Sequence, residues 1–363
     1  MTRNQSIPSV NSGKRHSCLV FLFRTDRIGG SERRAGEVAS LLRSRGTEVI
    51  AVNVSSGNSA ASQFFKKHFT TLHPEKSVTS ALKRCSQINA NAVVTYGMRM
   101  TLPARALSVL GIISGSLYNA RNGLDMNWPT WWHALDRATQ AGNKFLANSQ
   151  AVKEHLIAHG IAAKRIHVLP PALPDEWFST LTPRTKRPLR IAMIGNHRPE
   201  KNQVLGVRAF LSSRIRAELI IYTDSAEWLP SELARWEIPE LARVQAITNH
   251  TMEPSDYDEV DVVLHTSLSE SVPRVLLEAA SRGCRIIATD VGSTDSVLQG
   301  TVHRLLSPEP SMDEVTQALL DIAPSAPLDA PERVRITNSW TLTAYSCAFL
   351  DNVLRNREAP SPC

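Results

Sequence analysis

The chain has 363 residues, 42% hydrophobic and 21% charged, which is more than one hydrophobic core usually serves and points to two well-packed domains. No apolar stretch approaches the ~20 residues of a membrane-spanning helix, and the first apolar run, Cys18 to Phe23, is too short for a signal core and leads straight into Arg24. Five scattered cysteines (18, 85, 284, 347, 363) give neither a disulfide framework nor metal-ligand spacing, so a reducing, cytoplasmic setting is expected.

Residues 1–16 are polar and basic without periodicity and read as a disordered tail. From Cys18 onward, short apolar runs alternate with amphipathic stretches, the pattern of a parallel sheet flanked by helices. Strands are predicted at 18–23, 48–53, 91–95, 112–117, 144–147 and 166–169, with helices at 31–45, 100–109, 131–141 and 150–159. The segment 181–188, rich in Pro and basic residues, is a predicted linker between domains at 17–180 and 189–338. A second alternation follows, with strands at 189–194, 217–222, 243–247, 261–265 and 285–289, and a last amphipathic helix from Trp340 to Arg357 in a C-terminal segment, 339–363. The fold class is therefore α/β. Charge divides unevenly across the linker: the net +7 splits into +12 over residues 1–183 and −5 over 184–363. A basic first half favours anionic partners, such as a membrane surface or a lipid diphosphate. Nucleic acid is not expected, because no recognition motif accompanies the charge.

Seven residues separate Glu270 from Glu278. The first follows a predicted buried strand. The second lies in a helix expected to take Pro273 into its first turn and to stop at Gly283. The reading places Glu278 about two turns into that helix, with the carboxylates roughly 12 Å apart along the axis. That is about the reach from a sugar to a ribose joined through a diphosphate, with free backbone N–H groups at the helix start between them.

The block 261–297 resembles the signature of retaining nucleotide-sugar glycosyltransferases of family 4, the group 1 glycosyltransferases. The resemblance implies a GT-B architecture, two Rossmann-like parallel-sheet domains facing a central cleft, with the last helix crossing back toward the first domain. It also implies that Glu270 contacts the donor sugar, Glu278 the ribose, and Ser271, Val272, Pro273, Gly292 and Ser293 the rest of the donor. The segment Gly195-Asn-His-Arg198-Pro-Glu-Lys201 is similar to the family's phosphate-binding segment, with Lys201 on its lysine. Asn196 stands where the family carries arginine, and Arg198, two residues on, is the candidate substitute. Such cations would stabilise charge on the departing phosphate.

Gly29 and Gly30, between the first strand and first helix, resemble the family's loop facing acceptor and donor phosphate. Paired glycines there allow close backbone approach, and a tight turn is the plainer reading. Arg121 and Asn122 resemble its acceptor-side loop; Arg121 either meets an anionic group or forms a salt bridge at the domain edge. Tyr222 to Ser225 and Asn249-His250 replace family glycines, which would narrow the donor pocket. His265 either reaches a donor hydroxyl or is a buried structural histidine. Trp128, Trp131 and Trp132 suit helix-head packing or a sugar face. The resemblance implies a reaction that works without a divalent metal, so no metal and no cofactor are expected beyond the donor itself, a UDP- or GDP-linked sugar. The acceptor implied is a glycan or lipid-linked glycan, with the protein peripheral on the inner face of the membrane. Two other readings stay open: a non-catalytic scaffold of the same fold, and a nucleotide-sugar epimerase.

Overall fold

The computed structural model describes residues 17–121, 129–140, 142–169, 172–179, 188–234, 243–298, 303–322 and 340–353. The predicted tail, most of the linker, Asn122 and Trp128 lie outside them.

The first domain is a seven-stranded parallel sheet: β1 (Cys18–Arg24), β2 (Glu48–Val54), β3 (Thr71–Glu75), β4 (Ala92–Tyr96), β5 (Ser116–Arg121), β6 (Lys144–Ala147) and β7 (Ile166–Val168). Its order is β3-β2-β1-β4-β5-β6-β7. The central strand β1 is apolar on both faces because helices cover both, as a parallel sheet requires. On one face lie α1 (Gly30–Ser44) and α2 (Ala60–His68), around an aromatic cluster of Phe21, Phe23, Phe65 and Phe69. On the other lie α3 (Val78–Ser86) and α4 (Met98–Val109). α5 (Thr130–Ala138) and α6 (Gln150–Ala158) follow β5 and β6. The predicted strand at 112–117 is displaced to Ser116–Arg121, because Gly115 takes a positive φ (+81°) and its turn must finish before pairing with β4 begins.

The second domain repeats the plan with β8 (Leu189–Ile194), β9 (Ala217–Thr223), β10 (Val244–Thr248), β11 (Val262–His265), β12 (Arg285–Thr289) and β13 (His303–Leu306), in the order β10-β9-β8-β11-β12-β13. Its helices are α7 (Gln203–Ser213), α8 (Leu229–Leu233), α9 (Pro254–Asp258), α10 (Arg274–Ser281), α11 (Thr294–Leu298) and α12 (Met312–Ile322). In each sheet the order reverses beside the first strand, between β1 and β4 and between β8 and β11. Open parallel sheets bind ligands outside the strand ends at that switch point. The two switch points face one cleft.

The chain then returns. Leu173 and Thr341 form a parallel bridge, flanked by hydrogen bonds from the Leu173 amide to the Trp340 carbonyl (2.8 Å) and from the Leu342 amide to the Leu173 carbonyl (2.7 Å). The last helix, α13 (Leu342–Val353), seats Leu342, Phe349 and Val353 in the core of the first domain, while Trp340 packs on the second. Three of the four described cysteines are buried, all four are free, and burial pushes the Cys18 thiol up to about 11 and that of Cys85 to about 12. Cys18 and Cys85 are therefore inert core groups. Among the described residues no helix is long and apolar enough to cross a membrane.

Candidate functional site

Three loops of the second domain converge at the end of β11. The loop after β8 turns at Gly195 and ends in a single 3-10 turn, Pro199–Lys201, closed by Asn202 in the left-handed conformation. The loop after β11 runs from Thr266 to Pro273, and the loop after β12 carries Gly292. They are tied to one another by main-chain groups. The Leu268 amide donates to the Glu200 carbonyl (2.7 Å), the Thr266 hydroxyl to the Asn202 carbonyl (2.9 Å), and the Ser293 amide to the Ser271 carbonyl (3.1 Å). Gly292 is required twice over: its φ is +61°, and a Cβ there would stand 1.9 Å from the Glu270 carbonyl oxygen.

This scaffold brings the predicted Lys201 and Glu270 into an ion pair, Nζ on Oε1. The Ser267 hydroxyl donates to the same oxygen (3.2 Å), and His265 Nε2 lies 3.1 Å from it. His265 is buried, and its Nε2 is enclosed without a well-aligned hydrogen bond. Burial alone would raise the Glu270 carboxyl, but His265 and then Lys201 outweigh it and hold the group at about 2. Glu270 is therefore a fixed anion with a fixed cation beside it at any physiological pH.

The second carboxylate is placed differently from the sequence expectation. Pro273 is the N-cap rather than a first-turn residue, so α10 begins at Arg274 and Glu278 lies just over one turn into it, not two. The residue before a proline is disfavoured in helix, which keeps Val272 outside. Glu278 is buried and accepts hydrogen bonds from the Tyr257 hydroxyl (2.7 Å) and Arg274 Nε (2.8 Å). Arg274 also grips Glu37 of α1 through both terminal nitrogens (2.9 and 2.8 Å), so this network crosses the cleft. A second crossing is the hydrogen bond from Asn148 Nδ2 to Ser271 Oγ (3.1 Å).

Glu278, Gly195, Gly29 and Gly30 line a cleft of about 770 Å³ between the domains. Its cations come from positions the sequence reading did not single out, Arg27 and Arg33 at the mouth of the first domain and Arg274 from the second. The far wall holds Tyr222 and His250, with ring centroids 5.5 Å apart, and Asn249, again left-handed. Arg198, by contrast, is exposed on the 195–201 loop and outside this lining. Its charge reaches Asp224, whose carboxyl is lowered first by the hydrogen bond from the His197 amide and only weakly by Arg198. Arg121 takes the salt-bridge role: it is buried, and its guanidinium meets both oxygens of Asp136 at 2.7 Å, an acid it shares with Arg105. The cleft is a polar slot with an aromatic wall; Lys201 and Glu270 do not line it, and their pair lies behind Gly195, where an added Cβ would stand 3.8 Å from the Lys201 side chain.

Residues 188–324 match the sequence model of the family described as "Glycosyl transferases group 1". No curated protein matches the chain by sequence. Among solved structures, a glycosyltransferase from Rickettsia africae ESF-5 superposes with a TM-score of 0.78 at 17% identity, covering 94% of this chain and 100% of the other. Anabaena Alr3699/HepE in complex with UDP gives 0.78 at 15% identity, over 92% and 98%. The lipopolysaccharide outer core galactosyltransferase WaaB gives 0.73 at 16% identity, over 93% and 99%. The architecture is GT-B.

Proposed function

We propose that the chain is a retaining glycosyltransferase that moves a sugar from a nucleotide diphosphate sugar to a glycan or lipid-linked acceptor, in cell-envelope polysaccharide or glycolipid synthesis. The observation that carries this reading is the Lys201–Glu270 pair, with His265 behind it, at the switch point of the domain that matches the family. The nucleobase would lie along the Tyr222–His250 wall and the ribose at Glu278. The diphosphate would pass beneath Lys201 and within reach of Arg27 and Arg33, which leaves the sugar hydroxyls at Glu270. An acceptor hydroxyl attacks the anomeric carbon from the face the diphosphate leaves. The new C–O bond forms as the sugar–phosphate bond breaks, and the acceptor proton passes to the departing phosphate oxygen. Fixed cations favour the charge that collects there, so this transfer needs orientation more than a protein nucleophile or a divalent ion.

HepE has been crystallised with UDP and with UDP-glucose, which makes UDP-sugars the first donors to try. The test is binding and slow hydrolysis of UDP-, GDP- and ADP-sugars by the wild type and by Glu278→Ala. One donor bound, weakened by the substitution and releasing nucleoside diphosphate, supports the reading. No binding by any donor overturns it in favour of a non-catalytic scaffold. Membrane attachment is a separate part of the proposal. Lys66 and Lys67 lie on α2 and Lys83 and Arg84 on α3, and these helices cover opposite faces of the sheet. Reversing each pair separately should show which face meets anionic liposomes; unchanged binding at low salt in both would remove the membrane from the scheme.

A further inference from the structure

Away from the cleft, α5 and α6 bring together three histidines that are 22 and 26 residues apart in sequence, His133 with His155 and His159. We infer that these three imidazoles form a binding site for a divalent transition-metal ion of the zinc, copper or nickel type. One ring nitrogen of each lies within 4.8 Å of the others. A tetrahedral ion with bonds of about 2.0–2.1 Å needs nitrogens about 3.3 Å apart, so small side-chain rotations complete the set. His155 and His159 are spaced i, i+4, which places them on one helix face.

Two further observations point to a ligand. His155 Nε2 is buried and has no hydrogen-bond partner in the protein. Such an orphaned polar atom is costly unless something meets it. His159 Nδ1 lies 2.8 Å from the His155 carbonyl oxygen, and donation there fixes the tautomer and leaves Nε2 with a lone pair. Burial, then the neighbouring histidines, lower the proton affinity of His155, and burial and His159 do the same for His133, which favours the neutral form a ligand needs at those two rings.

The surrounding charge selects the metal class. Asp136 of α5, whose charge acts on His133, is engaged by two guanidiniums, Arg121 and Arg105, so this neighbouring cluster carries a net positive charge. Calcium or magnesium, which require anionic oxygen ligands, would be repelled and unsupported here. An ion that bonds strongly to neutral imidazole can overcome that field. All three residues are half-buried, which leaves room for water as the fourth ligand. Bound metal would pin α5 to α6 and so steady the helix that carries Asp136, the counter-ion of Arg121.

The test uses the full-length protein, dialysed against chelator and then titrated with Zn²⁺, with Co²⁺ as a spectroscopic substitute. We expect one equivalent of Zn²⁺ bound, a Co²⁺ visible absorption of tetrahedral type that Zn²⁺ abolishes, and a rise in melting temperature. His155→Gln and His159→Asn should each lose all three, while His73→Gln, on the opposite edge strand of the same sheet, keeps them. A site unchanged by His155→Gln and His159→Asn, or no stoichiometric uptake by wild type, would overturn the assignment and leave three imidazoles that only pack together. Should one variant fail to fold, the Co²⁺ spectrum of the wild type decides alone.

Discussion

On the second-domain side of the cleft, the loops after β8, β11 and β12 are bonded to one another largely through backbone groups, and the Lys201–Glu270 pair they carry is partly buried, while Arg198 stays exposed. On the first-domain side, Arg27, Gly29 and Gly30 are exposed, and the loop is anchored mainly by side chains: Asp26 accepts from the Ser56 amide (2.8 Å) and Glu32 from the Gly29 amide (2.9 Å), beside one longer backbone bond from the Ala61 amide to the Asp26 carbonyl (3.3 Å). The difference is one of pre-organisation. A backbone-knitted loop holds a fixed constellation for a ligand part that never varies, whereas side-chain anchors let a loop adapt at little cost. Under the proposed function, the second domain has the construction expected for the constant nucleotide and the first that for the acceptor.

The sharpest way to break this comparison is to remove the fixed pair. Glu270→Gln keeps shape and removes charge, and turnover should fall about 10²- to 10³-fold, the usual cost of losing one pre-organised electrostatic group. Arg27→Gln, on the adaptable side, should cost far less. Initial rates with the donor found in the binding scan measure both; equal losses would mean that the two sides are not distinct in kind. Next in size is Gly292→Ala. The added methyl meets the Glu270 carbonyl at 1.9 Å and demands a positive φ, so the loops must part. Strain and lost backbone bonds should destabilise by about 2–4 kcal/mol in urea unfolding. Gly30→Ala, with nothing within 4 Å of its Cβ position, should change stability by less than about 1 kcal/mol.

Acid should separate the two sides as well. The Glu270 carboxyl is held at about 2 against 4.5 for the free group, so its contribution is present in full above about pH 4.5 and is lost as pH falls toward 2. The difference corresponds to on the order of 3 kcal/mol. Wild type and Glu270→Gln should therefore converge in stability as pH drops through that window. Parallel curves would show that His265 and Lys201 do not hold the carboxylate in solution.

The legible part of the molecule was what its local sequence encodes. β1, β6, β8, β12 and the helices α1 and α6 lie within a residue or two of their predicted bounds, because apolar runs and caps are local signals. β3 and β13 were missed as edge strands: Thr71–Glu75 contains a proline and little apolar alternation, which only an edge tolerates. The site divides in the same way. Lys201 and Glu270 sit in motifs of a few residues each. The contacts of Glu278 were not readable: Tyr257 is 21 residues away, and Arg274's second partner, Glu37, is 237 away. No spacing rule reaches that far; of the three histidines, His155 and His159 share a helical spacing, and only His133, 22 residues earlier, lies beyond one.

The smallest expected effect concerns the one network that joins the two sides. Arg274 stands between Glu37 of the first domain and Glu278 of the second, with both acids and the guanidinium mostly buried. In Glu37→Gln Arg274 keeps Glu278 as counter-ion, but the enclosed Arg34 beside it loses the acid that favours its charge, so the loss should be about 1–2 kcal/mol, below the 3–5 kcal/mol of a fully orphaned partner. Combining it with Arg274→Lys separates contact from context: Lys cannot grip a carboxylate with two nitrogens, so each single change removes the same bidentate bond. If the domains rest closed in solution, the two losses overlap, and the double variant is more stable than their sum predicts by about 1 kcal/mol. Losses that add within about 0.3–0.5 kcal/mol would mean that Glu37 and Arg274 are apart most of the time. The cleft would then be open until a donor draws Glu278, and Arg274 with it, toward the first domain.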